Sequence, residues 1–256
     1  SVSRWHRGEV TEASALADEA VTVGAGAPVP AMSLGLDLEV LLLPHPFGRF
    51  LHLLTGKLDE EDGEAVFEGM AAAAPDRYAV SLVEMFASAG ALVTGRPAWA
   101  ERAAHRGIEA DPESTFSFWG RGLHGYLAAA LIEQGRYDEG LAALDVAIER
   151  FVDAGGRTGV VVYKAARASG LAGAGRLDAA GAAVAATYKE LDTYGERFAE
   201  PLVLEADARY RAASGDGDGA AELLARAAAL ATSHGSDGIA RRIGATAGDL
   251  GIQLRY

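Results

Sequence analysis

Half of the 256 residues are apolar and only 23% are charged, so the chain can build a large core and lacks the composition of a disordered segment. A formal charge of −13, with only three lysines (Lys57, Lys164, Lys189) among the basic residues, argues against nucleic acid and anionic membranes as partners, and no apolar run reaches the ~20 residues of a bilayer span. There is no cysteine for a disulfide or thiolate metal site and no signal-peptide core, which reads as a cytoplasmic protein; the start at Ser1 hints at a fragment of a longer one.

Ala and Leu dominate the apolar residues, which makes helix the expected state. In chain order, the first turn signal is Gly8-Glu9-Val10, followed by Thr11 as N-cap and the small residues Ala13, Ala17 and Ala20. Pro44-His45-Pro46-Phe47 reads as a kinked connector before a helix that ends at Gly56-Lys57-Leu58-Asp59. This second unit fits its neighbours poorly, with Glu61 and Glu68 where small residues are expected, and the register between 25 and 70 stays open. A third turn, Gly95-Arg96-Pro97, has Ala98 in the capping column, Ser88 before it and Ala100, Ala104 and Gly107 after it. Phe116 to Gln134 reads as one helix, followed by Gly135-Arg136-Tyr137-Asp138 and a helix carrying Gly140, Leu141, Leu144, Ala147, Ile148 and Phe151. Gly175-Arg176-Leu177-Asp178 and Gly215-Asp216-Gly217-Asp218 repeat the pattern, with Ala168 and Ala208 seven residues before each glycine. A final helix from Ile239 carries Arg241, Arg242 and Asp249 as a polar cap, and no cap is evident at the other end.

From Gly56 the turn glycines follow at intervals of 39, 40, 40 and 40, while the first interval of 48 leaves room for an insertion. Each glycine can adopt the left-handed conformation that closes one helix, and Thr11, Asp59, Asp138, Asp178 or Asp218 caps the next. Small residues facing each other across a pair let the axes approach to ~8 Å, but one pair cannot bury its own apolar face. Stacking does, which predicts a single domain over 1–256 of five to six hairpins, turning at 8, 56, 95, 135, 175 and 215, with a concave groove.

These columns resemble the tetratricopeptide (TPR) pattern: Ala128, the turn at Gly135, Gly140 in the place of the helical Ala, Leu144 and Ala147, with Pro112 where that pattern ends its second helix. The resemblance implies an all-α, right-handed superhelix of TPR-like repeats, an α-α solenoid. Inter-hairpin loops such as 153–156, 193–196 and 233–236 would account for a period longer than the usual ~34 residues. Over residues 115–250, Phe118-Trp119, Asp153-Ala154-Gly155-Gly156-Arg157 and Tyr194-Gly195-Glu196-Arg197-Phe198-Ala199-Glu200 resemble the C-terminal helical region of bacterial multidomain regulators. Those regulators join a signal-transduction ATPase to a nucleotide cyclase or a DNA-binding domain. Leu202 after Pro201 departs from that family, which usually carries a second glutamate there.

Motifs for chemistry fail on inspection. Gly56-Lys57 lacks a following Ser or Thr, and Gly120-Arg121-Gly122-Leu123-His124-Gly125 matches a dinucleotide fingerprint by letters but lies inside a helix, where its glycines permit close packing. The six histidines are dispersed, no serine sits in a nucleophile elbow, and Gly215 to Gly219 lacks the later ligands of a calcium loop. No enzyme activity, cofactor or metal is expected. Polar residues on the inner helices are the groove candidates: Arg121 and His124, then Tyr163, Lys164 and Arg167, then Glu205 and Arg209. The expected function is a scaffold in a signalling or transcriptional regulator, binding a protein or peptide segment or the parent's own ATPase domain. The alternative is a small-molecule effector sensor, as in the maltose-type regulators this region also resembles, with a compact aromatic and polar pocket.

Overall fold

A computed structural model describes residues 1–26, 43–116 and 118–254. Within them the chain is all-helical, with thirteen α-helices, one short 310 turn and no strand. The helices are α1 (Val2–His6), α2 (Val10–Gly26), α3 (Pro44–Thr55), α4 (Glu60–Ala72), α5 (Arg77–Val93), α6 (Pro97–Ala110) and α7 (Trp119–Glu133). They continue with α8 (Tyr137–Asp153), α9 (Val160–Gly173), α10 (Leu177–Tyr194), the 310 turn Arg197–Ala199, α11 (Glu200–Ala213), α12 (Gly217–Ser233) and α13 (Asp237–Asp249).

All six turn glycines take positive φ, from 70° at Gly56 to 85° at Gly215, as the spacing predicts. A second set, Gly155, Gly195 and Gly235, is also left-handed and closes the inter-hairpin loops at the same 40-residue interval. The small-residue columns are buried where helices meet: Ser88, Ala128, Ala168 and Ala208 on the first helices, Ala13, Ala100, Ala180 and Ala220 on the second. At Gly140 a Cβ would stand 2.9 Å from the Ala128 carbonyl oxygen, so the glycine in that column sets the approach of α8 to α7.

The caps differ from expectation. Five second helices begin two residues after the glycine, with Val10, Pro97, Tyr137, Leu177 and Gly217 as first residues, so Thr11, Asp138, Asp178 and Asp218 lie inside the first turn. There the three aspartates face the positive end of the helix dipole rather than capping it. Asp216, not Asp218, caps α12, its carboxylate accepting from Gly219 N at 3.0 Å. Only in the second hairpin does the helix start four residues after the glycine, and there Asp59 caps as expected, accepting from Asp62 N at 2.8 Å. That longer turn rotates the buried face to Gly63 and Phe67 and leaves Glu61 and Glu68 exposed, which explains the poor fit of this unit. Pro44-His45-Pro46-Phe47 is the first turn of α3 rather than a connector, and α7 begins at Trp119 rather than Phe116. Residues 27–42, where the insertion was expected, lie outside the described residues.

The first helices of successive hairpins pack in order, α3 on α5, α5 on α7, α7 on α9 and α9 on α11. Helix α13 then contacts both α11 and α3, and the two ends of the chain meet. Val10 N donates to the His234 carbonyl at 3.1 Å, so the first turn rests on the end of α12. The first and last hairpins therefore pack on one another.

Candidate functional site

An aromatic cavity of about 200 Å³ lies between the N-terminal halves of α3, α7 and α9 and the later turns of α5. Helix α3 contributes Phe47 and Phe50, α5 contributes Met85 and Phe86, and α7 contributes Trp119, Gly122 and Tyr126. Thr158, Val162 and Tyr163 come from the start of α9, and Phe151 from the end of α8. Trp5 completes the wall: its ring lies 4.0 Å from that of Phe198, centroid to centroid, and edge-on to Phe47 and Phe50 at 5.7 and 5.5 Å. Val2 and Phe118, both partly exposed, form the rim.

No described lining residue carries a formal charge. Most polar atoms of the wall are already matched: Tyr163 OH donates to the Gly122 carbonyl at 2.9 Å, and Trp119 Nε1 donates to Tyr78 OH at 2.9 Å. Trp5 Nε1 is buried and meets no acceptor among the described residues. Burial raises the Tyr126 and Tyr163 hydroxyls far above the ordinary phenol range, so both stay neutral.

Glu196 holds the α9 part of the wall in place. Its carboxylate reaches from the loop after α10 to the start of α9 and accepts from Gly159 N at 2.7 Å and Val161 N at 3.3 Å. Burial pushes its carboxyl up to about 7, against the lowering effect of those two bonds.

Helix α13 lies across the C-termini of α3 and α5, with Gly238 against the Leu53 carbonyl. From it Arg242 reaches inward, donating to Glu205 at 2.8 Å, Glu133 at 2.7 Å and the Leu92 carbonyl at 2.6 Å. Thr246 and Arg209 complete the second oxygen of Glu205 at 2.7 and 3.1 Å. Burial works to raise the Glu205 carboxyl, but Arg242 and Arg209 overcome it and hold it down to about 2. The network is neutral, with two arginines against two glutamates, and every charged group in it is bonded, as a buried ion cluster requires.

The groove candidates therefore fall in four places. Tyr163 lines the aromatic cavity, and Glu205 and Arg209 belong to the buried Arg242 network. Arg121 and His124 face away from the cavity, into a groove between α7 and α8. Lys164 and Arg167 lie in a shallower groove between α8, α9 and α10, where Lys164 pairs with Glu190 and Arg167 with Asp145. Sequence reasoning missed Trp5, Phe47, Phe50, Phe198 and Arg242. One signal was available: Tyr78, Phe118, Thr158 and Phe198 stand 17 residues before successive turn glycines, a column at the mouths of the inner helices. No protein-family model matches the chain, and no curated protein or solved structure shows significant similarity to it.

Proposed function

We propose that this chain is a non-enzymatic module of TPR-like hairpins, wound as a right-handed superhelix, that senses a small neutral ligand for a bacterial signalling or transcriptional regulator in the cytoplasm. The observation that carries this reading is the uncharged aromatic cavity at the point where first and last hairpins meet. An apolar cavity of roughly 150 Å³ is enough to take up benzene, so about 200 Å³ suits a molecule of one or two rings. A charged ligand would lose its hydration there without gaining a partner. The unmatched Trp5 donor favours a ligand with one acceptor oxygen or nitrogen.

A ligand in this place touches Trp5, Phe47 and Phe198 together and so binds the closed circuit better than an opened one. That differential affinity is what a sensor needs to shift a conformational equilibrium. A protein or peptide segment, the other expectation, is too large for this cavity and would dock on the grooves beside α7 or α9. The test is a thermal-shift titration with indole, 1-naphthol and 4-phenyl-2-butanone against benzoate and benzylamine. Neutral probes at ~100 times their Kd should add about 2.7 kcal/mol, several degrees in Tm. Insensitivity to all neutral probes, or an equal response to benzylamine, refutes the reading.

A further inference from the structure

On the side of α7 turned away from the cavity, α7 and α8 enclose a groove of about 820 Å³. Its floor is apolar, with Leu127 and Leu131 from α7 and Val146 from α8, the last 46% exposed. Three basic side chains line the groove, Arg121 and His124 from α7 and Arg150 from α8, together with the carboxylates of Glu113, Glu139 and Asp153. Neither arginine makes a hydrogen bond or ion pair with any described residue, and His124 contacts only Ser114 Oγ at 3.3 Å. Glu113 and Asp153 pair with neither arginine.

The repeat supplies its own control. Forty residues on, Lys164 takes the place of His124, Arg167 that of Leu127, and Glu190 that of Arg150. There Lys164 pairs with Glu190 across the groove, and Arg167 reaches Asp145 at 2.6 Å. A cross-groove ion pair in one hairpin thus becomes, in the preceding hairpin, two basic side chains at the matching positions and a third in the same groove, with the arginine that closes the later groove replaced by leucine. The change removes the carboxylate and opens an apolar strip next to the gap it leaves. Burial, and after it the charge of Arg150, lowers the His124 pKa, against the charge of Asp111, which raises it.

We infer that the α7–α8 groove binds a small amphiphilic organic acid, its carboxylate between Arg150 and Arg121 with His124 beside them, and its apolar part along Leu127, Leu131 and Val146. A single carboxylate is favoured over a polyanion, because the chain as a whole carries −13. Planar arginine forks suit a carboxylate in geometry as well as charge.

The experiment is isothermal titration of the full chain with octanoate and 4-phenylbutyrate, beside octanol and 4-phenylbutanol. Both acids should bind with an affinity that weakens as salt rises, whereas the alcohols bind only in the aromatic cavity and without that salt dependence. Arg150→Glu restores the acid found in the next hairpin. It should abolish acid binding while keeping the wild-type unfolding midpoint and leaving any alcohol uptake by the aromatic cavity unchanged. Arg121→Gln should weaken the acids roughly tenfold. The proposal is overturned if neither acid binds, if acid binding is as indifferent to salt as that of the alcohols, or if Arg150→Glu binds the acids as wild type does.

Discussion

Gly122 and Gly125 sit one turn apart on α7 and face the same tyrosine, yet alanine at the two positions should move stability in opposite directions. A Cβ on Gly122 would stand 3.5 Å from Tyr163 Oη, 3.8 Å from Phe151 and 4.0 Å from Met85, all ordinary contacts at the cavity wall. Gly122→Ala gains about 0.8–1.0 kcal/mol of helix propensity and about 0.8 kcal/mol for a methyl group buried among apolar atoms, together ~1.5–2 kcal/mol. A Cβ on Gly125 would stand 2.6 Å from Tyr163 Cζ and 2.8 Å from both flanking ring carbons. That ring is 1% exposed and tethered to the Gly122 carbonyl, so it cannot swing away. Overpacking of this kind costs about 1–3 kcal/mol, which cancels or exceeds the propensity gain. Urea denaturation should separate the two variants by ~2 kcal/mol, and Tm should rise by several degrees in Gly122→Ala alone. The same substitution reduces the cavity, so its thermal response to indole should shrink. Gly125→Ala as stable as Gly122→Ala would refute the close-packing argument, and an undiminished indole response would remove Gly122 from the binding wall.

Three further substitutions probe the closure and its supports. Trp5→Ala should cost about 3–5 kcal/mol by denaturant titration, because the indole fills the space between Phe47, Phe50 and Phe198; a loss under about 1 kcal/mol would mean that α1 is not part of the core. Arg242→Ala strands Glu205 and Glu133 without their shared partner and should cost about 3–5 kcal/mol, whereas joining Arg242→Met to Glu205→Gln should recover part of it; a single variant as stable as wild type would contradict the network. Glu196 titrates near 7 in the fold against an ordinary 4.5, so the folded state holds its proton more tightly than the unfolded chain does. Its penalty is absent below about pH 4.5, grows as pH rises, and is complete above about pH 7, where it reaches on the order of 3 kcal/mol. Glu196→Gln should therefore gain on wild type between pH 5 and pH 8 in paired denaturation curves, and parallel profiles would show that burial does not govern this carboxyl.

What repeats in the sequence was legible, because a hairpin's turn and its close contacts are local. Positive φ at Gly135 or Gly175 and the burial of Ala128 and Ala168 follow from a few neighbouring residues and recur every forty. The second hairpin misled for an equally local reason: two extra residues before Glu60 rotate α4 and move its buried stripe from 61 and 65 to 63 and 67. The caps misled because a glycine turn that ends on Arg136 or Arg176 starts the helix before the expected aspartate is reached. Arg121, His124 and Tyr163 were grouped by their place on inner helices. Helical phase then sends Gly122 and Tyr126 to the cavity and Arg121 and His124 to the opposite face of the same helix.

The closure had no such signature, since its largest side-chain contributions come from two residues outside the repeat columns. Trp5 comes from a helix of five residues and Arg242 from the helix that follows the last hairpin, and each meets groups more than a hundred positions away. The two ends are chemically opposite. Arg242 enters an interior that already holds two glutamates, so its place is fixed by charge, and losing it leaves buried ions uncompensated. Trp5 is held by ring contacts and area alone, and its indole nitrogen has no partner among the described residues. Of the two, the aromatic end is the one that can open without stranding a charge, and it is the end where the cavity lies. For the proposed sensor, entry beside Val2 and Phe118 would displace apolar contacts, while the Arg242 network goes on holding α13 against α5, α7 and α11.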